Sequence, residues 1–81
     1  DQKNTDQINV FPNPSQDKVF ILGDGDMKRF RLSNLQGLQL LDITTKQRLS
    51  IFDMSSYQNG IYILNIESDK DRKRSTKIIK N

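Results

Sequence analysis

Short apolar runs alternate with polar segments along the whole chain. Seven such runs can be counted, at residues 8–11, 18–22, 27–33, 38–43, 48–54, 60–66 and 73–80. In the third run Phe30 and Leu32 alternate with two arginines, and a period of two is typical of a strand with one buried face. Seven short strands at this spacing predict an all-β fold, an antiparallel β-sandwich of about seven strands.

The polar segments between the runs predict where the chain turns. Residues 23–26 are Gly-Asp-Gly-Asp and predict a hairpin, since Gly and Asp tolerate positive φ. Residues 34–37 predict a second turn, with Gly37 where φ is positive. Residues 44–47 are polar and are predicted to end the fourth strand. The sixth run is apolar on both faces, which predicts a central strand covered on both sides.

Two prolines flank an asparagine directly after the first apolar run. Pro12 and Pro14 each fix φ and push the preceding residue out of the helical region, so Phe11 and Asn13 are expected to be extended. The segment predicts a rigid exit from the first strand, with the Asn13 side chain bonding within its own turn.

The composition narrows the function classes. The chain has 81 residues, 33% of them hydrophobic, a net charge of +3, and no Cys, His or Trp. One domain is expected, and catalytic dyads or triads built on Cys or His are excluded, as are thiolate metal sites. No apolar stretch approaches the roughly 18 residues of a membrane helix. Residues 1–7 are wholly polar and predict the end of a linker, with the domain at 8–81.

Two charged groups are candidate ligand sites. Asp24 and Asp26 suit either a weak calcium site or two solvated turn carboxylates, and the spacing of a calcium loop is missing. A basic cluster suits either anion binding or protection of a sheet edge against aggregation; it contains Arg72, Lys73, Arg74, Lys77 and Lys80. No aromatic residues interleave with this cluster, so we predict no nucleic-acid partner. We also predict no cofactor and no enzymatic activity.

Most of the aromatic residues fall in predicted strands. These are expected to fill the core, because aromatic rings supply much of the buried area of a small domain. They are Phe11, Phe20, Phe30, Phe52 and Tyr62. Tyr57 is expected in a loop and exposed.

Three phrases in a fixed order carry a family resemblance. Val10-Phe11-Pro12-Asn13-Pro14 comes first, Gly60-Ile61-Tyr62-Ile63-Leu64 follows near residue 60, and Lys77-Ile78-Ile79-Lys80 closes the sequence. Together they resemble the type A C-terminal sorting domain of the type IX secretion system of Bacteroidetes. The resemblance covers about residues 8–81, including the turn that ends at Gly37.

The resemblance implies an immunoglobulin-like sandwich that acts as an export signal. Its passenger would cross the inner membrane on its own signal, and the sorting domain would be recognised in the periplasm. The implied partners are the N-terminal passenger, an outer-membrane translocon, a shuttle protein and a sortase-like protease that removes the domain. The passenger would end on the cell surface or in the medium. By position, recognition falls on Lys77, Ile78, Ile79 and Lys80, which form an edge strand suited to strand addition.

Other functions stay open at this stage. An immunoglobulin-like adhesion or carbohydrate-binding module would show an exposed aromatic cluster. An anion or nucleic-acid binder would lose affinity steeply with salt. An exposed last strand also predicts dimerisation through that edge.

Overall fold

Seven strands occupy most of the described chain in a computed structural model, which describes residues 8–11, 17–23, 25–68 and 73–81. They are β1 Asn9–Phe11, β2 Lys18–Leu22, β3 Lys28–Asn34, β4 Gln39–Thr45, β5 Leu49–Asp53, β6 Gly60–Ser68 and β7 Lys73–Lys80. The predicted all-β fold is confirmed, and the predicted bounds of β2 and β7 are met. The fourth strand runs on through Thr44 and Thr45, so the predicted break there is wrong. Thr is a good strand former, and both residues pair with β3.

The strands form two antiparallel sheets. One has the order β1-β2-β5 and the other the order β4-β3-β6-β7. All pairings between the described strands are antiparallel. Because the fourth strand pairs with the third and not with the fifth, the immunoglobulin-like sandwich has one sheet of three strands and one sheet of four.

The predicted hairpin at residues 23–26 is wrong. β2 and β3 lie in different sheets, so this segment crosses from one layer to the other. Gly25 has the expected positive φ of +95°, and Gly23 N donates a hydrogen bond to Arg48 O, which keeps the end of β2 with β5. Turn chemistry supplies the change of direction, but it does not determine whether the flanking strands pair.

The second predicted turn is confirmed as a hairpin between β3 and β4. Gly37 has φ of +91°, and Gly37 N donates to Asn34 O at 3.1 Å. The Asn34 side chain accepts bonds from Gln36 N and Leu38 N, each at 3.0 Å. An asparagine that satisfies two turn amides explains why the reversal occurs here.

The core lies between the sheets. Its buried hydrophobic residues are Ile8, Val19, Ile21, Phe30, Leu32, Phe52, Met54, Tyr62, Leu64, Ile66 and Ile78. Phe30 from one sheet meets Phe52 from the other edge to face, with ring centroids 5.7 Å apart. Such a contact adds to the area that both rings bury.

Three aromatic predictions need correction. Phe11 is 44% exposed and Phe20 half-buried, because both side chains point out of the three-stranded sheet. Tyr57 lies in a loop as expected, but it is half-buried against the core.

β6 is central in its sheet, as predicted, but it is not covered on both sides: Ile61 is 38% exposed. A two-layer sandwich buries only one face of each sheet.

Several predictions concern residues that the structure does not describe. The linker assigned to residues 1–7, the Pro12-Asn13-Pro14 motif, Asp24 of the calcium pair and Arg72 of the basic cluster lie outside the described residues. Within the described ranges, no helix has the length and apolar character needed to cross a membrane. Those same ranges contain no group of three or more His, Cys, Asp or Glu side chains arranged to hold a metal ion.

Candidate functional site

The last strand lies at an edge of the four-stranded sheet. β7 has β6 as its strand neighbour, in a register that places Lys80 opposite Gly60, Ile79 opposite Ile61 and Lys77 opposite Ile63. The expected edge position is therefore confirmed. An edge strand is where an incoming strand can extend a sheet.

The four residues predicted for recognition divide between the two faces of the sheet. Ile78 is completely buried and Lys80 is 8% exposed. Lys77 is exposed and Ile79 half-buried, and both lie on the outer face. The alternation of a strand therefore gives Ile78 and Lys80 to the core side and leaves Lys77 and Ile79 on the surface.

Lys80 is an unusual residue for a core-facing position. Its Nζ lies 3.4 Å from Oδ1 of Asn59, to which the ammonium group donates a long hydrogen bond. The aliphatic stem is covered while the charged head reaches the loop before β6, as long cationic side chains often do. Lys80 thus joins the end of β7 to the loop between β5 and β6.

The start of β6 is fixed by a tyrosine corner. Tyr62 is buried, and its hydroxyl donates a hydrogen bond of 2.5 Å to Gln58 O, four residues earlier. Gly60 has φ of +154°, and the Tyr62 ring packs against Tyr57 with centroids 5.8 Å apart. In immunoglobulin-like domains a tyrosine near the start of the sixth strand makes the same bond to upstream backbone. This is a physical reason for the Gly-x-Tyr phrase.

A groove opens beside this corner. It encloses about 430 Å³ and runs between the β3–β4 hairpin and the loop before β6. Its lining includes Asn34, Leu35, Tyr57, Asn59 and Ile61. Sequence reasoning missed the groove, because its walls come from segments far apart in the chain. The one local sign of the groove in the sequence was Leu35, an apolar residue in a predicted turn. In the structure its side chain is 62% exposed.

The outer face of the four-stranded sheet is charged at the end away from Ile61 and Ile79. Arg29 donates two bonds to Asp42, at 2.9 and 2.6 Å, and Arg31 lies 3.2 Å from Glu67. The hydrogen bond from Arg29 lowers the pKa of Asp42, and the same contact raises the pKa of Arg29. Lys73 lies 3.9 Å from Glu67.

Lys80 is not the only member of the predicted basic cluster with a partner within the domain. Lys73 is near Glu67, and the Arg74 guanidinium donates to Ile8 O. The Glu67 carboxylate partly offsets the positive charge of Lys73. The bond from Arg74 holds Ile8, which directly precedes β1, against β7.

Comparison with known protein families identifies the domain. The sequence matches the profile of the secretion system C-terminal sorting domain over residues 9–81. The chain belongs to the family of type IX secretion C-terminal sorting domains. A search of curated proteins gave no significant match.

Membership defines the role of this sorting domain in broad terms. Such a domain is a signal for export by the type IX system, is attached to an N-terminal passenger and interacts with the secretion machinery. Its passenger is exported through the outer membrane to the cell surface or the medium. The family match spans the whole sandwich, from β1 to the end of β7.

Proposed function

We propose that the domain is a non-catalytic export signal read mainly at the second half of β7. The observation that carries this proposal is the division of the last strand: Lys77 and Ile79 face outward at a sheet edge, while Ile78 and Lys80 hold the strand in place. A receptor that adds a strand here would gain affinity from the backbone and selectivity from alternate side chains.

The finer steps of export form the rest of the proposal. The domain is recognised in the periplasm, passes through an outer-membrane translocon and is collected by a shuttle protein. A sortase-like protease then cuts before β1, within the linker predicted at residues 1–7. The wholly polar sequence of that segment supports a protease-accessible linker. The passenger is then anchored on the surface or released.

The test is a fusion to a fluorescent reporter. Residues 1–81 are attached to a periplasm-targeted fluorescent protein in a Bacteroidetes host, with and without a working type IX system. Surface or medium fluorescence is expected only in the competent strain. Equal retention of the reporter in both strains would rule out the export role.

Point variants locate the signal within β7. Ile79→Ser is expected to lower export strongly, whereas Ile61→Ser, its cross-strand neighbour on the same face, serves as the matched control. Lys77→Glu is compared with Lys73→Glu, which changes the same charge at the other end of the strand. If each pair exports alike, the assignment of the signal to the second half of β7 is wrong.

Deletion of residues 77–81 is a weaker test than these point variants. It removes Ile78, a completely buried side chain, so it also weakens the core. Loss of export by the truncated domain therefore supports the proposal only if its circular dichroism spectrum and unfolding midpoint show that it is still folded.

The carbohydrate-binding alternative gains no specific support from the described residues. Phe11 stacks on Phe20 on the outward face of the three-stranded sheet. One stacked pair is less than the exposed aromatic cluster that such a module would show. We therefore put forward no second function.

A further inference from the structure

The loop before β6 ends at Asn59, and Gly60 begins the strand. Asn59 is the one asparagine in the sequence that is followed by a glycine. The backbone nitrogen of a residue can attack Cγ of a preceding asparagine, because the chain holds the two groups close together. Most side chains obstruct this approach, whereas glycine has no Cβ and leaves it open. The pair therefore has the local chemistry for spontaneous deamidation.

The fold leaves this pair accessible. Asn59 is exposed at a bend of the chain, and Gly60 is half-buried at the first position of β6. A Cβ added to Gly60 would meet no heavy atom within 4 Å apart from its chain neighbours, so the space beside its α-carbon is open. Water can therefore reach the side-chain amide of Asn59, and ammonia can leave it.

Lys80 places a positive charge beside the group that would be attacked. Its Nζ donates a hydrogen bond to Oδ1 of Asn59 at 3.4 Å, and the residue is only 8% exposed, so a covered stem holds the ammonium group there. When the Gly60 nitrogen attacks Cγ, negative charge develops on Oδ1, and a cation at that oxygen stabilises it. Lys80 is therefore expected to accelerate the attack.

Two other asparagines of the described chain provide a contrast. Asn65 precedes the β-branched Ile66 in the middle of β6, which is paired on both sides, and its Oδ1 accepts a bond from the Ser75 hydroxyl at 2.5 Å. Asn34 precedes Leu35, and its Oδ1 accepts two backbone N–H groups of its own turn. Neither is followed by a glycine, so both are expected to react slowly.

We propose that Asn59 is a site of spontaneous deamidation, promoted by the ammonium group of Lys80. Hydroxide removes the proton of the Gly60 nitrogen, this nitrogen bonds to Cγ of Asn59, and the Cγ–Nδ2 bond breaks. The leaving nitrogen takes a proton from water and departs as ammonia, so a cyclic imide remains. Water then opens the imide at Cγ to give aspartate, or at the backbone carbonyl carbon to give isoaspartate.

Both products change the contact between this loop and the end of β7. In the aspartate product a carboxylate replaces the neutral acceptor beside Lys80, and charge-assisted hydrogen bonds are the stronger ones. In the isoaspartate product the main chain runs through Cγ and is one atom longer directly after Gln58, whose carbonyl accepts the Tyr62 hydroxyl. That product is expected to disturb the tyrosine corner. The reaction does not depend on how β7 is recognised.

Peptide mapping of the intact precursor after incubation tests the proposal. Trypsin cleaves after Arg48 and Lys70 and releases residues 49–70, one peptide that contains both Asn59 and Asn65. Fragment-ion mass spectrometry locates the exchange of NH for O, and a methyltransferase specific for isoaspartate detects the rearranged product. A sample digested without incubation gives the conversion caused by handling. The incubations are made at neutral and at mildly alkaline pH, with and without urea.

Conversion at Asn59 is expected to be at least about ten-fold faster than at Asn65 in the folded precursor, and to accelerate as the pH rises. Equal conversion at the two asparagines, or none at Asn59, overturns the proposal.

Two variants test the part played by Lys80. Lys80→Met keeps a covered stem but removes the charge, and it should slow conversion at Asn59 about three-fold or more. Lys80→Arg keeps the charge and should stay close to the parent. In urea, where the fold no longer holds residue 80 beside Asn59, all three proteins should convert alike. If the parent and Lys80→Met convert equally in the folded state, Lys80 does not promote the reaction and that part of the proposal is overturned.

Discussion

The two outer faces of the sandwich are built from the same strand geometry but differ in chemistry. Outside the three-stranded sheet lie contiguous apolar side chains such as Phe11 and Ile51. Outside the four-stranded sheet, Arg29 binds Asp42 and Arg31 pairs with Glu67. Since the core constrains only the inward positions, the outward ones are free to differ. Their differences therefore carry information about partners that the core residues lack.

The four-stranded sheet itself is divided along its length. Its charged end carries Arg29, Arg31 and Glu67, whereas its other end carries Ile61 and Ile79 on paired strands. The apolar end adjoins the groove and the tyrosine corner. The end of β7 thus combines outward apolar side chains with a sheet edge, and the proposed export signal is assigned there for both reasons.

The largest expected effect comes from the core that holds both faces in place. Phe52→Ala removes a ring that packs on Phe30 across the sheets, and it should lower the free energy of unfolding by about 3–5 kcal/mol. A domain of this size has roughly 4–12 kcal/mol in total, so much of its stability would go. Urea denaturation measures the change.

Ile51→Ala is the matched control for the Phe52 variant. It alters the neighbouring residue of β5, whose side chain points outward and is 52% exposed. Its effect should stay within about 0.5 kcal/mol. If the two variants destabilise equally, the assignment of inward and outward faces in β5 is wrong.

A smaller effect is expected at the corner that borders the end of β7. Tyr62→Phe keeps the buried ring but removes the hydroxyl that donates to Gln58 O, and it should cost about 1 kcal/mol. Tyr57→Phe makes the same chemical change on the half-buried neighbouring ring and should cost less. A zero effect at Tyr62 in thermal and urea unfolding would mean that the corner bond does not stabilise the domain.

The contrast between sequence and structure follows from what a local pattern encodes. Alternation at Phe30 and Leu32 and turn chemistry at Asn34 were sufficient for the strands and for one hairpin. The segment at residues 23–26 has equally good turn chemistry, yet it links two sheets. Pairing depends on which layer each strand joins, and that is decided by contacts distant in sequence.

The candidate site shows the same limit. The bounds and the edge position of the last strand were predicted correctly, but the prediction treated Lys77, Ile78, Ile79 and Lys80 alike. In the structure, strand alternation divides them into two inward and two outward residues. The sequence pattern did not determine which pair faces inward, and the burial of Ile78 does. Phe11 shows the converse case, because an apolar side chain in a strand was expected inside and lies outside. Hydrophobicity alone does not distinguish a core face from an interface.

The smallest expected effect uses pH to compare one carboxylate on each face. On the four-stranded sheet, the hydrogen bond from Arg29 lowers the pKa of Asp42. On the outward face of the three-stranded sheet, the pKa of Asp53 is lowered first by the backbone N–H of Ser55, which donates at 3.0 Å. Arg29→Met should therefore raise the pKa of Asp42 and leave that of Asp53 unchanged, which NMR titration of the carboxyl carbons measures.

The sign of the accompanying stability change follows from linkage. Because the folded pKa of Asp42 is lowered, its ion pair stabilises the domain above the ordinary aspartate pKa of about 3.9. That contribution disappears as the pH falls through the lowered folded value. The unfolding curves of the parent and of Arg29→Met should therefore differ slightly near neutral pH and converge in acid. Added salt should narrow the difference near neutral pH, since both side chains are exposed to solvent. A gap that persisted in strong acid would mean that Arg29 stabilises the sheet by packing and not by its charge.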